Sequence, residues 1–167
     1  SLSHPNIVQA FEYGELYGMY YVVLEYIEGE SLADRIEKNG AIPEEESLSI
    51  FEKLLQGMIY AWEKGFVHRD MKPANIMISK DGVVKICDFG LAKEVDSEMH
   101  LTKTGTFLGT PHYMSPEQFA SSSHVDYRSD LYSLGVTLYV MLTGCLPFKG
   151  TSFYSLCSAH INDAPPL

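Results

Sequence analysis

His68-Arg69-Asp70-Met71-Lys72-Pro73-Ala74-Asn75-Ile76-Met77 is the stretch from which the rest of the chain can be read. It sets a carboxylate, a cation and an amide at short fixed spacings. Downstream, Lys80-Asp81-Gly82 and a short apolar run lead into Asp88-Phe89-Gly90, which adds a second carboxylate beside a glycine that tolerates unusual backbone angles. Phosphoryl transfer asks for this set of groups. It needs a carboxylate to orient or deprotonate the attacking hydroxyl, a cation against phosphate charge, and oxygen ligands for magnesium, which takes one or two carboxylates with water and phosphate.

Composition sets the bounds. The 167 residues, 46% hydrophobic and 20% charged, suffice for one soluble domain with a buried core. A formal net charge of −10 argues against a nucleic-acid or anionic-membrane partner; it fits attraction of basic substrates, or simply a solvated acidic face. Cys87, Cys145 and Cys157 are widely spaced and form no C-x-x-C pair, so neither a disulfide framework nor a zinc site is expected, and a reducing, cytoplasmic compartment fits. The chain opens at Ser1 without a secretory signal, which suggests a piece of something longer whose remainder could carry a membrane anchor. Leu131 to Phe148 lacks charge, but the break at Gly144 leaves too short a run for a comfortable membrane span, so a buried helix is expected.

Along the chain, Ile7 to Glu15 and Met19 to Tyr26, separated by Leu16-Tyr17-Gly18, read as a β-hairpin. Ser31-Leu32-Ala33-Asp34 has the spacing of a helix-start capping arrangement, with a stop at Asn39-Gly40. A longer helix follows from about Pro43 to Lys64, with Leu48, Phe51, Leu54, Leu55, Met58, Ile59 and Trp62 as its core stripe. Ile76 to Ser79 and Val83 to Cys87 read as strands joined at Asp81-Gly82. Leu91 to Leu108 has the character of a long functional loop, Asp126 to Asp130 leads into the buried helix, and no closing helix precedes Pro165-Pro166-Leu167.

H-R-D-x-K-P-x-N, then D-F-G, then Gly109-Thr110-Pro111-His112-Tyr113-Met114-Ser115-Pro116-Glu117 occur in an order and spacing that resembles the protein kinases, and most of all the bacterial branch of the serine/threonine protein kinases. The resemblance implies an α+β, protein kinase-like fold, with a mostly helical large lobe and a remnant of the small-lobe antiparallel sheet. Residues 1–26 would supply small-lobe strands, 27–30 the hinge and 31–167 the core of the large lobe. It further implies an ATP- and magnesium-dependent enzyme acting on serine or threonine hydroxyls of a protein substrate.

Residue by residue, the resemblance makes Asp70 the group that orients the acceptor hydroxyl and Lys72 the one that neutralises the transferring phosphate. Asn75 and Asp88 would hold magnesium, and Thr110 would bridge toward Asp70 and Lys72. Leu24 stands at the gatekeeper position, Glu25 and Ile27 offer backbone bonds to adenine, Met77 forms the apolar floor beneath it, and Cys87 faces the nucleotide. As an isolated residue, each also reads as core filler or as a salt-bridge or turn member. Arg69 would capture a phosphorylated loop threonine, Thr102 or Thr104, with Thr106 a weaker candidate. His68 and Phe89 form a stacked pair linking the lobes, Gly90 completes the D-F-G turn, Asp130 ties down the catalytic loop, and Glu117 lacks the arginine that kinases supply from a later helix.

The family's glycine-rich phosphate loop, strand lysine and partner glutamate would lie before Ser1, and no G-x-G-x-x-G or V-A-I-K run occurs in the chain. The chain is therefore expected to be a catalytic fragment that is inactive alone. A non-catalytic pseudokinase or kinase-shaped interaction module is the rival reading, against which the four intact chemical groups speak.

Overall fold

A computed structural model describes residues 2–89, 111–120 and 125–166. The first sheet is a hairpin in which β1 (Ala10–Leu16) and β2 (Met19–Leu24) pair antiparallel, Leu16 facing Met19 and Ala10 facing Leu24. Tyr17 and Gly18 turn the chain with φ of 54° and 77°, the left-handed angles that a two-residue hairpin loop requires. The first strand begins at Ala10 and not at Ile7 as its composition suggested. Val8 N–H donates instead to Ile86 O (2.8 Å), and Ile86 N–H to Asn6 O (2.9 Å), so this stretch satisfies its backbone against a distant strand.

That strand belongs to a second antiparallel sheet, in the order β3 (Gly29–Ser31), β4 (Ile76–Ser79), β5 (Val84–Ile86). A Cβ on Gly29 would stand 2.0 Å from Ile78 O, so only glycine lets β3 lie against β4. Alternation along β4 and β5 buries Ile76, Ile78, Val84 and Ile86 and turns Met77 and Lys85 to the other face.

α1 (Leu32–Asn39) starts at the capping box read from the sequence: Ser31 Oγ accepts from Asp34 N–H, and the Asp34 carboxylate accepts from Ser31 N–H. α2 (Glu44–Glu63) follows Pro43 and opens with three glutamates at its positive end. Its buried face departs from the expected stripe. Leu54 and Met58 are buried and Phe51, Leu55 and Trp62 partly so, but Leu48 and Ile59 are each 49% exposed. Ser47, Gly57 and Ala61 are buried instead, and at Gly57 α2 runs close to its neighbours: a Cβ there would lie 3.1 Å from Asn6 O and from Ile86 Cδ1. Small residues let backbones approach, and hydropathy does not mark them.

After a 3-10 turn at Pro111–Tyr113 comes the short α3 (Pro116–Ala120), then α4 (Tyr127–Thr143). Asp126 caps α4 by accepting from Arg128 N–H, so Asp130 lies in the helix's first turn and not ahead of it. Leu134, Val136, Val140 and Met141 are buried, and the buried Ser133 and Thr137 hydroxyls donate to carbonyls one turn back. Gly144 ends the helix at φ 69°. Among the described residues no helix is long and apolar enough to cross a membrane.

α5 (Phe153–Asn162) was not anticipated. Its start signal, Ser152 capped against Ser155, uses a serine where a longer acid or amide usually advertises the box. One cluster around Leu54, Met58, Ile76, Ile86, Leu134 and Met141 forms the core between α2, α4 and the second sheet, and α5 adds a smaller one with Phe148, Leu156 and Ala159.

Candidate active site

The site is built on a buried carboxylate. Asp130, wholly inaccessible, accepts from His68 N–H (2.8 Å), Arg69 N–H (2.8 Å) and Trp62 Nε1–H (3.0 Å). Arg69 sits at φ 69°, a left-handed angle that costs a non-glycine residue about 1 kcal/mol. The charge-assisted bonds from residues 68 and 69 to one carboxylate hold the loop in that shape. Gln118 braces it from the far side, donating to Arg69 O (2.7 Å) while accepting from Ser115 N–H (3.0 Å).

Within this loop Asp70 is clamped. Lys72 Nζ lies 2.7 Å from its Oδ2, and Asn75 Nδ2 donates to the same oxygen (3.1 Å) and to the Asp70 carbonyl (2.8 Å). The Asp70 side chain is half exposed, whereas Lys72 is only 17% exposed, so the carboxylate is presented to solvent on a fixed base. Because the Asn75 amide nitrogen is committed to Asp70, its Oδ1 is the atom left to accept or to ligate.

Two contacts bring the second loop alongside. Cys87 N–H donates to Asn75 O (2.9 Å), and His68 Nε2 lies 2.8 Å from Cys87 O. His68 Nδ1 accepts from Asp70 N–H (3.3 Å), so the tautomer with its hydrogen on Nε2 satisfies both partners. The ring of Phe89 meets His68 edge-on at 4.7 Å. Asp88, between Cys87 and Phe89, takes φ 63°, a second left-handed residue within the same cluster. Asn75 Oδ1 and Asp88 thus offer one amide oxygen and one carboxylate, a donor set that suits magnesium only with further oxygens from phosphate and water. The residues fit that ion on donor chemistry.

Leu24 and Asp88 line one cavity of about 280 Å³ together with Val8, Ala10, Val22 and Phe89. Glu25 N–H is spent on Gln9 O (2.9 Å), which leaves its carbonyl for a ligand. Ile27 is partly buried in the segment between β2 and β3. Met77 sits opposite Ser31 on one side and Lys85 on the other. The Cys87 thiol is pushed up to about 11 by burial first, with the Asp88 and Glu25 carboxylates adding to it, so it stays protonated at neutral pH as apolar filler does.

Glu117 accepts from Ser129 Oγ; burial raises its carboxyl, but this bond and its own backbone outweigh it and hold it below the usual range. Gly90, Thr102, Thr104, Thr106 and Thr110 lie outside the described residues. Gln118 and Lys85 were not singled out from the sequence. No local pattern marks them, since their partners lie far along the chain.

Comparison with known proteins gives the family of the chain. Residues 1–164 match the protein kinase domain family. A serine/threonine-protein kinase of Corynebacterium efficiens, drp72, is 46% identical over 171 residues, covering 99% of this chain and 32% of that protein. PrkC of Bacillus subtilis is 41% identical over 166 residues, 99% of this chain and 25% of that one. The solved structure of Rad53 residues 1–466 with AMP-PNP superposes with a TM-score of 0.78 at 34% identity, over 94% of this chain and 38% of that one. The chain therefore spans about a quarter to a third of these curated relatives' length.

Proposed function

The chain belongs to the protein kinase domain family, and from that premise we propose that the full-length protein transfers the γ-phosphate of ATP to serine and threonine hydroxyls of a protein substrate. The observation that carries this reading is the Asp70 carboxylate held by Lys72 and Asn75 at 2.7 and 3.1 Å. On this assignment residues 1–26 belong to the small lobe, 27–30 are the hinge and 31–167 are the core of the large lobe.

Asp70, fixed yet open to solvent, orients the acceptor hydroxyl and takes its proton as the hydroxyl oxygen bonds to the γ-phosphorus and the bond from that phosphorus to the ADP oxygen breaks, with ADP leaving. Lys72, largely buried, lays its charge against the phosphoryl oxygens; lysine two residues after the acid is the arrangement that points to serine and threonine acceptors. Asn75 Oδ1 and Asp88 hold magnesium, which when bound neutralises charge on the phosphates. The carbonyl of Glu25 and the backbone of Ile27 hold the base, with Leu24 and Met77 as apolar walls.

Arg69 receives a phosphothreonine at 102 or 104, where roughly −1.5 to −2 charges and three acceptor oxygens can be matched by a guanidinium. Phosphopeptide mapping of active full-length protein that finds both threonines unmodified would remove that assignment. The 167 residues alone contain no glycine-rich loop, and Phe11, Tyr13, Met19 and Tyr20 of the hairpin are more than half exposed, so this segment by itself positions nucleotide poorly and transfers little phosphate. The functional test is phosphoamino-acid analysis after reaction of the full-length protein with γ-labelled ATP and magnesium. Phosphoserine and phosphothreonine are expected; phosphotyrosine alone, or no label, contradicts the reading.

A further inference from the structure

The segment between β2 and β3 is tied at both ends to the β4–β5 hairpin. At its far end Lys80 N–H donates to Glu28 O (2.9 Å), and the Lys80 and Glu28 side chains form an ion pair in the open, about two-thirds exposed on each side. At its near end the tie is of another kind. Glu25 Oε1 lies 2.5 Å from Lys85 Nζ, with the two side chains only 23% and 18% exposed. Lys85 projects from the face of β5 opposite the core, three positions before Asp88, and the Glu25 carboxylate lies near enough to help raise the Cys87 thiol.

Further hydrogen bonds complete the junction. Glu25 N–H donates to Gln9 O, Val8 N–H to Ile86 O, and Asn6 Nδ2 to Val84 O at 2.8 Å, so residues 6–9 lie between the end of β2 and β5. An exposed pair contributes little, whereas a largely buried pair fixes geometry and penalises the loss of either member.

We propose that the Glu25–Lys85 ion pair is a positioning device that holds the adenine-binding backbone in register with the strand delivering Asp88, and so sets the affinity for ATP. The inference rests on the kinase reading. It gives the Glu25 side chain and Lys85 a role that touches neither the reacting atoms nor the metal, and it separates them from the exposed Glu28–Lys80 pair, which carries no such role.

The test uses the full-length protein with a serine-containing peptide as acceptor, and measures KM for ATP and kcat separately. Lys85→Met and Glu25→Gln should each raise KM for ATP about tenfold, the change that corresponds to about 1.4 kcal/mol, with kcat held within about threefold. The neutral double variant Glu25→Gln/Lys85→Met should show the same tenfold rise and not its square, because both changes remove one interaction. Lys85→Arg should keep KM within about threefold and Lys80→Ala within about twofold.

If a single variant fails to fold because a charge is stranded, the neutral double variant, which strands none, carries the test. A double variant with wild-type KM for ATP, or single effects that multiply, overturns the positioning role. A wild-type protein that transfers no phosphate counts instead against the kinase reading, and the proposal falls with it.

Discussion

His68 Nε2 lies 2.8 Å from the carbonyl oxygen of Cys87, and this contact couples the loop of Asp70 to the loop of Asp88. The imidazole is 1% exposed and also receives the Asp70 amide. His68→Phe keeps a ring against Phe89 but leaves the Cys87 carbonyl without its donor, a buried loss of about 1–3 kcal/mol. Steady-state assay of the full-length protein should show kcat reduced about tenfold or more, with KM for ATP changed less.

Asp130 anchors the same loop from below, and its replacement should be felt at named amides. Asp130→Asn offers one acceptor oxygen where three donors now converge, so protection from hydrogen exchange should fall at His68 and Arg69 while the α2 core at Leu54 and Met58 keeps its own. Native-state exchange read residue by residue checks this.

Much of the site was legible because its chemistry is local in sequence. Asp70, Lys72 and Asn75 fall within six residues, and the fold brings them into contact much as that spacing suggests. Ser31 and Gly144 likewise announced helix ends, the first as a capping hydroxyl and the second as a residue that accepts a left-handed angle. What stayed hidden depends on distant partners. Val8 pairs with Ile86 and not with β2, Lys85 finds Glu25, and Gln118 finds Arg69, none of which leaves a periodic trace. Leu48 and Ile59 face outward for a related reason: α2 makes a close approach at Gly57, which hydropathy ranks below them.

His160 makes stability depend on pH on the acid side. It is buried against Phe119, Tyr132 and Phe148, its Nδ1 lies 2.7 Å from Tyr132 Oη, and burial first, then the charge of nearby His112, holds its pKa below 6.5. The unfolded chain then takes up the proton more readily, so this contribution is full above pH 6.5 and declines as pH falls below it. Thermal unfolding between pH 7.5 and 5.5 should show that decline in the wild-type protein, and His160→Phe should flatten it.

Cys87 should resist thiol reagents. With its thiol pushed up to about 11 and the side chain largely buried, alkylation at pH 7.5 should be slow beside that of the exposed Cys145, and should accelerate only as pH approaches 11. Mass-spectrometric labelling at two pH values separates the two cysteines.

Single-turnover phosphoryl transfer by the full-length protein, wild type against Asp70→Asn, tests the central claim most directly. The account predicts that Asp70→Asn binds magnesium–ATP within about threefold of wild type yet transfers phosphate about 10²- to 10⁴-fold more slowly. Transfer by Asp70→Asn at a rate within about threefold of wild type would contradict it.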